Sequence, residues 1–143
     1  FGRVDSSRNL YQTDAEVYIN SNRIPSFYTK KFGGGCVIIA EDLAGYGYDV
    51  SYNDSSKTLY LKYNPDKSFF PVDMTYYDGL RKGSAVLKAQ EPNQINVVIE
   101  KNGVQYRPWR VLMLDGYTAV FVDELQSFVS SFGYRDGIVT IWN

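Results

Sequence analysis

GGGCVIIAEDLAGYGYDVSYNDSSKTLYLKY, residues 33–63, decides how the chain divides. Three glycines precede a compact apolar run of Cys36, Val37, Ile38 and Ile39. The acidic pair Glu41-Asp42 follows, then Leu43-Ala44 and a glycine-rich stop at Gly45 and Gly47. Carboxylates in a first helical turn are favoured by the helix dipole, and Ile39, Leu43 and Tyr46 are spaced along one helical face. Beyond the stop, Tyr48, Val50 and Tyr52 alternate with polar residues. So do Leu59, Leu61 and Tyr63 after the turn Asn53-Asp54-Ser55-Ser56. Alternation of this kind marks half-buried strands. The stretch predicts strand, short helix, strand, turn, strand.

Upstream, residues 1–9 carry no periodic pattern and predict a frayed start. Residues 10–14 fit a short edge strand. Residues 16–20 (EVYIN) alternate, and Ser21-Asn22-Arg23 supplies turn chemistry. Residues 24–28 (IPSFY) return as a second strand, which Pro25 pushes towards a sheet edge. Downstream, residues 64–83 break the pattern with Pro65, Pro71, Gly79 and Gly83. Phe69, Phe70, Tyr76 and Tyr77 make this segment too apolar for a disordered linker. It predicts a connector packed across its neighbours.

From residue 84 the order of elements recurs. Residues 86–89 stand for 10–13, and a second hairpin is predicted where residues 97–99 and 104–106 flank Asn102-Gly103. Asp115-Gly116 stands for Gly33-Gly34, AVFVDEL (119–125) for VIIAEDL (37–43), and GIVTIW (137–142) for residues 57–62. Residues 127–132 are expected to complete a fuller helix. The offset is 80 from Ile19 to Ile99, 82 from Leu43 to Leu125, and 80 again from Leu59 to Val139. A duplication carrying a two-residue insertion and a two-residue deletion accounts for it. The expected fold class is α+β: two repeated units, each a small antiparallel sheet with a short helix packed against it. Their bounds are 1–63 and 84–143, with 64–83 between them.

Composition excludes more than it assigns. A chain of 143 residues buries enough surface to need no metal or disulfide staple. Net charge is −1, which gives no electrostatic case for nucleic acid. No apolar run approaches the roughly 20 residues of a membrane helix. Histidine is absent, which removes serine–histidine and cysteine–histidine nucleophiles and histidine metal sites. The lone Cys36 sits in an apolar run and is expected to be an inert core thiol. The chain opens at Phe1, and a trimmed or mature form without its signal peptide is expected.

Several segments invite a chemical role, and most have a plainer explanation. Neighbouring carboxylates on a helix diverge, so Glu41-Asp42 and Asp123-Glu124 are expected to serve the helix terminus, not paired acid/base chemistry. The 53–56 turn lacks the ligand pattern of a calcium loop. Gly33-Gly34-Gly35 precedes a strand and lacks the lysine of a phosphate loop. The cluster Arg107-Pro108-Trp109-Arg110 has the composition of a binding hot spot, although arginine stacked on tryptophan also serves packing. Of the 13 tyrosines, Tyr76 and Tyr77 join Arg107, Trp109 and Arg110 as the candidate ligand or partner surface.

Thr13-Asp14, Tyr18-Ile19-Asn20, Ile24-Pro25-Ser26, Ile39-Ala40-Glu41-Asp42-Leu43, Tyr46-Gly47, Val50-Ser51-Tyr52 and Lys57-Thr58-Leu59 together resemble the copper amine oxidase N-terminal-like domain. Tyr52 stands where tryptophan is usual and Asn53 where aspartate is usual. Residues 86–142 match more weakly. They keep Asp123-Glu124-Leu125 and lose the tyrosine-glycine that follows. The resemblance implies a stalk-like domain of secreted or wall-associated proteins of Gram-positive bacteria, with a small antiparallel sheet and packed helices. It implies no oxidase. Copper in that enzyme needs histidine, and neither Tyr52-Asn53-Asp54 nor Tyr76-Tyr77-Asp78 has the order that forms its tyrosine-derived cofactor.

The expected function is that of a non-catalytic extracellular module at the bacterial surface, acting in adhesion or spacing, with no cofactor and no metal. Its expected partner is cell-wall polysaccharide or another surface protein. The alternative is a glycan- or peptidoglycan-binding module using exposed aromatics, and the third is an enzyme using carboxylates or tyrosines alone.

Overall fold

The computed structural model describes residues 8–88, 95–114 and 116–143. The first half contributes β1 (Leu10–Gln12), β2 (Glu16–Ile19), β3 (Asn22–Ile24), β4 (Ser26–Thr29), β5 (Gly35–Ile39), β6 (Tyr48–Asn53) and β7 (Thr58–Tyr63). The connector carries a single helical turn, α1 (Thr75–Asp78). The second half contributes β8 (Ala85–Leu87), β9 (Asn96–Lys101), β10 (Val104–Tyr106), β11 (Val111–Leu114), β12 (Tyr117–Phe121), β13 (Ser131–Arg135) and β14 (Ile138–Trp142).

These strands form three sheets, ordered β11-β12-β5-β4-β1-β8, β10-β9-β7-β6 and β13-β14-β2-β3. Every sheet draws on both halves of the chain. The expected α+β class, with two self-contained antiparallel sheets each backed by a helix, is therefore corrected to a β-rich fold. Two pairings are parallel: β14 lies beside β2, with Val139 opposite Val17 and Ile141 opposite Ile19. Likewise β7 lies beside β9, with Leu59 opposite Val97 and Leu61 opposite Ile99. The closing strand of each half thus pairs with an early strand of the other.

The helices shrink for a local reason. The expected helix after β5 is a 3₁₀ segment, Ala40–Gly45, and its counterpart is another, Val122–Ser127. Six residues ended by Gly45 and Gly47 leave too few hydrogen bonds to repay helix nucleation. Beyond Ser127 the chain does not continue as helix. Residues 131–135 form β13, antiparallel to β14, and the expected helix over 127–132 is overturned. Pro25 also acts differently from expected. It ends β3 and passes the chain into another sheet as β4, so residues 24–28 are not one strand of a hairpin.

The continuous apolar run of β5 reflects burial on both faces, as in any strand covered above and below. Ile38 and Val120 turn towards a core shared with Val17, Leu61, Ile99 and Ile141 from the other two sheets. Val37, Ile39 and Phe121 face a second core with Leu10, Phe27, Leu112 and Leu114. The six-stranded sheet curls around this second core. Flat, β1 and β11 would stand about 19 Å apart, four spacings of ~4.8 Å. Yet Arg8, two residues before β1, lines one cavity with Val111 and Met113 of β11.

The connector packs tightly. Phe69 meets Tyr46 edge to face at 6.0 Å, and the Phe70 N–H donates to the Gly45 carbonyl at 2.8 Å. A Cβ at Gly45 would lie 2.3 Å from the Phe70 carbonyl oxygen, so glycine is required there by the connector as well as by the turn. The expected frayed start falls largely on residues 1–7, outside the described residues. So do Ala89 and Asp115 of the proposed correspondence. Asn9 is buried.

Candidate functional site

The segment between β10 and β11 holds Arg107, Pro108, Trp109 and Arg110. Its shape is set by one carboxylate. Glu124, in the 3₁₀ segment after β12, accepts the Trp109 N–H at 3.1 Å and the Arg110 N–H at 3.3 Å, one on each oxygen. Its side chain is only 14% exposed. The Arg110 guanidinium donates to Asp123 at 2.6 Å and lies 3.4 Å from Glu124. It also stacks over the Phe121 ring at 4.3 Å and over the Trp109 ring at 5.4 Å. The hydrogen bond to Asp123 raises the Arg110 pKa above its ordinary value. Arg110 is therefore a packing residue, held by two carboxylates and two rings.

Trp109 is presented outward. It is 76% exposed although its backbone is pinned. Phe32 meets it edge to face at 6.0 Å and meets Phe121 in the same way at 5.9 Å. Phe32 takes a left-handed backbone (φ 57°), and Gly33 and Gly34 follow in the same region. Gly34 and Gly35 stand beside aromatic side chains: a Cβ would lie 2.7 Å from the Tyr28 hydroxyl oxygen at Gly34 and 2.8 Å from the Phe121 ring at Gly35. The missing Cβ at Gly35 lets the Phe121 ring lie against the backbone.

Arg107 and Trp109 line a cavity of about 470 Å³ with Arg8, Asn96, Ile95 and Met113. A second, more apolar cavity of about 430 Å³ shares Ile95 and Met113 in its wall and is also lined by Tyr52 and Tyr117. Among the described residues the first cavity has no carboxylate in its wall, and the second has only Glu41. Glu41 is occupied, since it accepts the Thr118 N–H at 2.8 Å. Among the described residues no group of three potential ligands could hold a metal ion.

Tyr76 and Tyr77 do not join this site. Tyr77 packs edge-on against Phe27 at 5.6 Å, and its backbone carbonyl accepts from the Gln12 amide at 3.0 Å. Burial, with Asp42 nearby, raises its pKa. Tyr76 is exposed and stacks on Tyr77. Asp42 follows β5 whereas Phe32, the neighbour of Trp109, precedes it, so the full strand lies between the two groups. Asp42 itself is pushed up to about 6, by burial first and then by Glu41. Burial likewise raises the Cys36 thiol to about 11, which keeps it protonated.

Sequence reasoning missed Arg8, Asn96 and Met113, which come from three separate segments: before β1, the start of β9 in another sheet, and β11. It also assigned Glu124 to a helix terminus, whereas that carboxylate holds the Trp109 backbone. No periodic signal marks such a contact, 15 residues away in sequence. No helix among the described residues is long and apolar enough to cross a membrane. No family model, curated protein or solved structure matches this chain, so the copper amine oxidase N-terminal-like resemblance rests on the residues quoted for it.

Proposed function

We propose that this chain is a non-catalytic structural module of an exported bacterial surface protein, acting in adhesion or spacing. The observation that carries the reading is the parallel pairing of β2 with β14. A pull that separates the two chain ends drags β2 by its N-terminal end and β14 by its C-terminal end. Parallel neighbours drawn this way slide along each other, so their hydrogen bonds must fail together. An antiparallel hairpin pulled from its open end loses them one by one. The far end of the clamp is tied again: the Asn143 N–H donates to Asn20 at 2.9 Å, and the Tyr48 hydroxyl donates to the Asn143 side chain at 2.8 Å. Such a geometry suits a spacer held under tension, and the resemblance to a stalk-type repeat points the same way.

Forced unfolding reports the unfolding barrier directly. Single-molecule pulling through handles at the two chain ends should need several-fold more force than pulling through Asp14 and Asp136. Those exposed residues flank the same end of the β2–β14 pair and would open it like a zipper. Equal forces in the two directions would sink the mechanical role.

A second reading, a glycan-binding module, is favoured by a different observation. An indole three-quarters exposed is fixed by a nearly buried carboxylate beside an open cavity. Rigid presentation of an exposed aromatic is what sugar faces and partner side chains exploit.

A further inference from the structure

The cavity beside Trp109 carries a charge pattern that narrows its ligand. Arg8 and Arg107 enter the wall from distant parts of the chain, and no acidic residue among the described residues lines it. Neither guanidinium has a carboxylate partner among the described residues. Arg23 and Arg110, by contrast, are each paired with acids, Asp78 at 2.8 Å and Asp123 at 2.6 Å. The Arg8 Nε is buried and has no hydrogen-bond acceptor among the described residues. A buried donor on a cation that lacks an acceptor keeps its full desolvation cost. Two like charges sharing one wall add to that cost until an anion enters.

The remaining wall defines what else the ligand offers. Arg110 and Phe32 both contact the Trp109 ring, yet the residue is 76% exposed and offers open ring surface to a flat, weakly polar partner such as the C–H face of a pyranose. Asn96 adds an amide able to donate and accept. The volume of about 470 Å³ falls in the range of small-ligand pockets, roughly 300–1,000 Å³. We propose that this cavity binds an acidic saccharide, its carboxylate taken by the Arg8 and Arg107 guanidiniums and a sugar face stacked on Trp109. The proposal deepens the glycan-binding reading and depends on it. It is independent of the mechanical role.

The test is a fluorescence and calorimetric titration of the whole chain carrying Trp142→Phe, so that Trp109 is the reporter. The probes are a hyaluronan octasaccharide, its carboxyl-reduced neutral form, and inorganic phosphate. The acidic octasaccharide should bind saturably, at least about tenfold more tightly than the neutral form, as expected for loss of a charge-assisted contact worth ~1.4 kcal/mol or more. Arg107→Gln should remove that preference, and Trp109→Ala should weaken both sugars. Both variants sit on exposed side chains and should leave the thermal midpoint unchanged. Equal binding of acidic and neutral sugars through Trp109 would overturn the acidic specificity while keeping a glycan-binding module. Phosphate competing as strongly as the acidic sugar, with no effect of Trp109→Ala, would reduce the site to a bare anion site and overturn the saccharide assignment. No saturable binding of any probe would overturn both.

Discussion

Ile38 and Val120 face each other across β5 and β12, and the register is symmetric about them: Val37 opposes Phe121 and Ile39 opposes Ala119. Each side chain is fully buried in the core that joins all three sheets. Ile38→Ala should therefore leave a cavity where the two halves meet and cost about 2–4 kcal/mol. Chemical denaturation would show one cooperative transition at lower denaturant. Two separate transitions would mean that the halves unfold independently, against the shared core.

Glu124→Ala should cost about 2–4 kcal/mol, because it orphans two backbone N–H donors and removes a partner of Arg110. Its effect should extend to function. With the Trp109 backbone released, the indole emission should shift in a Trp142→Phe background. An unchanged thermal midpoint and spectrum would contradict the role given to Glu124.

Asp42 predicts a pH dependence of defined sign. Its pKa is about 6 in the folded chain against a reference of 3.8, so the folded state holds the extra proton between those values. Stability contributed by the neutral form is full below pH ~4, falls as pH rises towards 6, and is flat above it. Asp42→Asn should abolish that fall and stabilise the protein at pH 7 by about 1–2 kcal/mol, after discounting for partial solvent exposure. Denaturation of both proteins at pH 4, 5, 6 and 7 would check it. A gain that is equal at pH 4 and pH 7 would refute the titration of Asp42.

Gly45→Ala should detach the connector without dissolving the sheets. The added methyl would meet the Phe70 backbone oxygen at 2.3 Å, which side-chain motion cannot relieve. A cost of about 2–3 kcal/mol is expected, typical of overpacking, with faster proteolysis within residues 64–74. Gly103→Ala, in open space at a left-handed turn, should cost about 1 kcal/mol by backbone strain alone. Equal proteolysis of the two variants would show that the Phe70 contact is not what fixes the connector.

Tyr46→Phe tests the other tie of the connector. The Tyr46 hydroxyl donates to the Arg23 carbonyl at 2.5 Å and accepts the Val72 N–H at 3.0 Å. Losing both should cost about 1–3 kcal/mol and speed exchange of the Val72 amide. Unchanged exchange would argue against the bond.

The strands were legible because alternation is a local property. Tyr48, Val50 and Tyr52, then Leu59 and Leu61, mark β6 and β7 without reference to any other segment. The Asn102-Gly103 turn likewise marked β9 and β10. The helices were overread because an acidic pair before leucine suits a 3₁₀ turn as well as an α-helix. Of the candidate residues, Arg107 and Trp109 line the cavity, while Arg110 is paired with Asp123 and Tyr77 lies partly buried against Phe27.

By itself the sequence determined where most strands lie, which of their faces are apolar, and that histidine chemistry is absent. Periodicity names the buried face of a strand and is silent about what covers it. Across the cited pairings β2 meets β14 122 residues away (Val17 to Val139), β5 meets β12 82 away (Ile38 to Val120) and β7 meets β9 38 away (Leu59 to Val97), each on the far side of the connector. Only the tertiary structure could decide that the halves interleave, that the six-stranded sheet curls, and that Arg8 reaches the cavity beside Trp109. Those outcomes follow from burying both faces of β5 at once, a requirement no single segment carries.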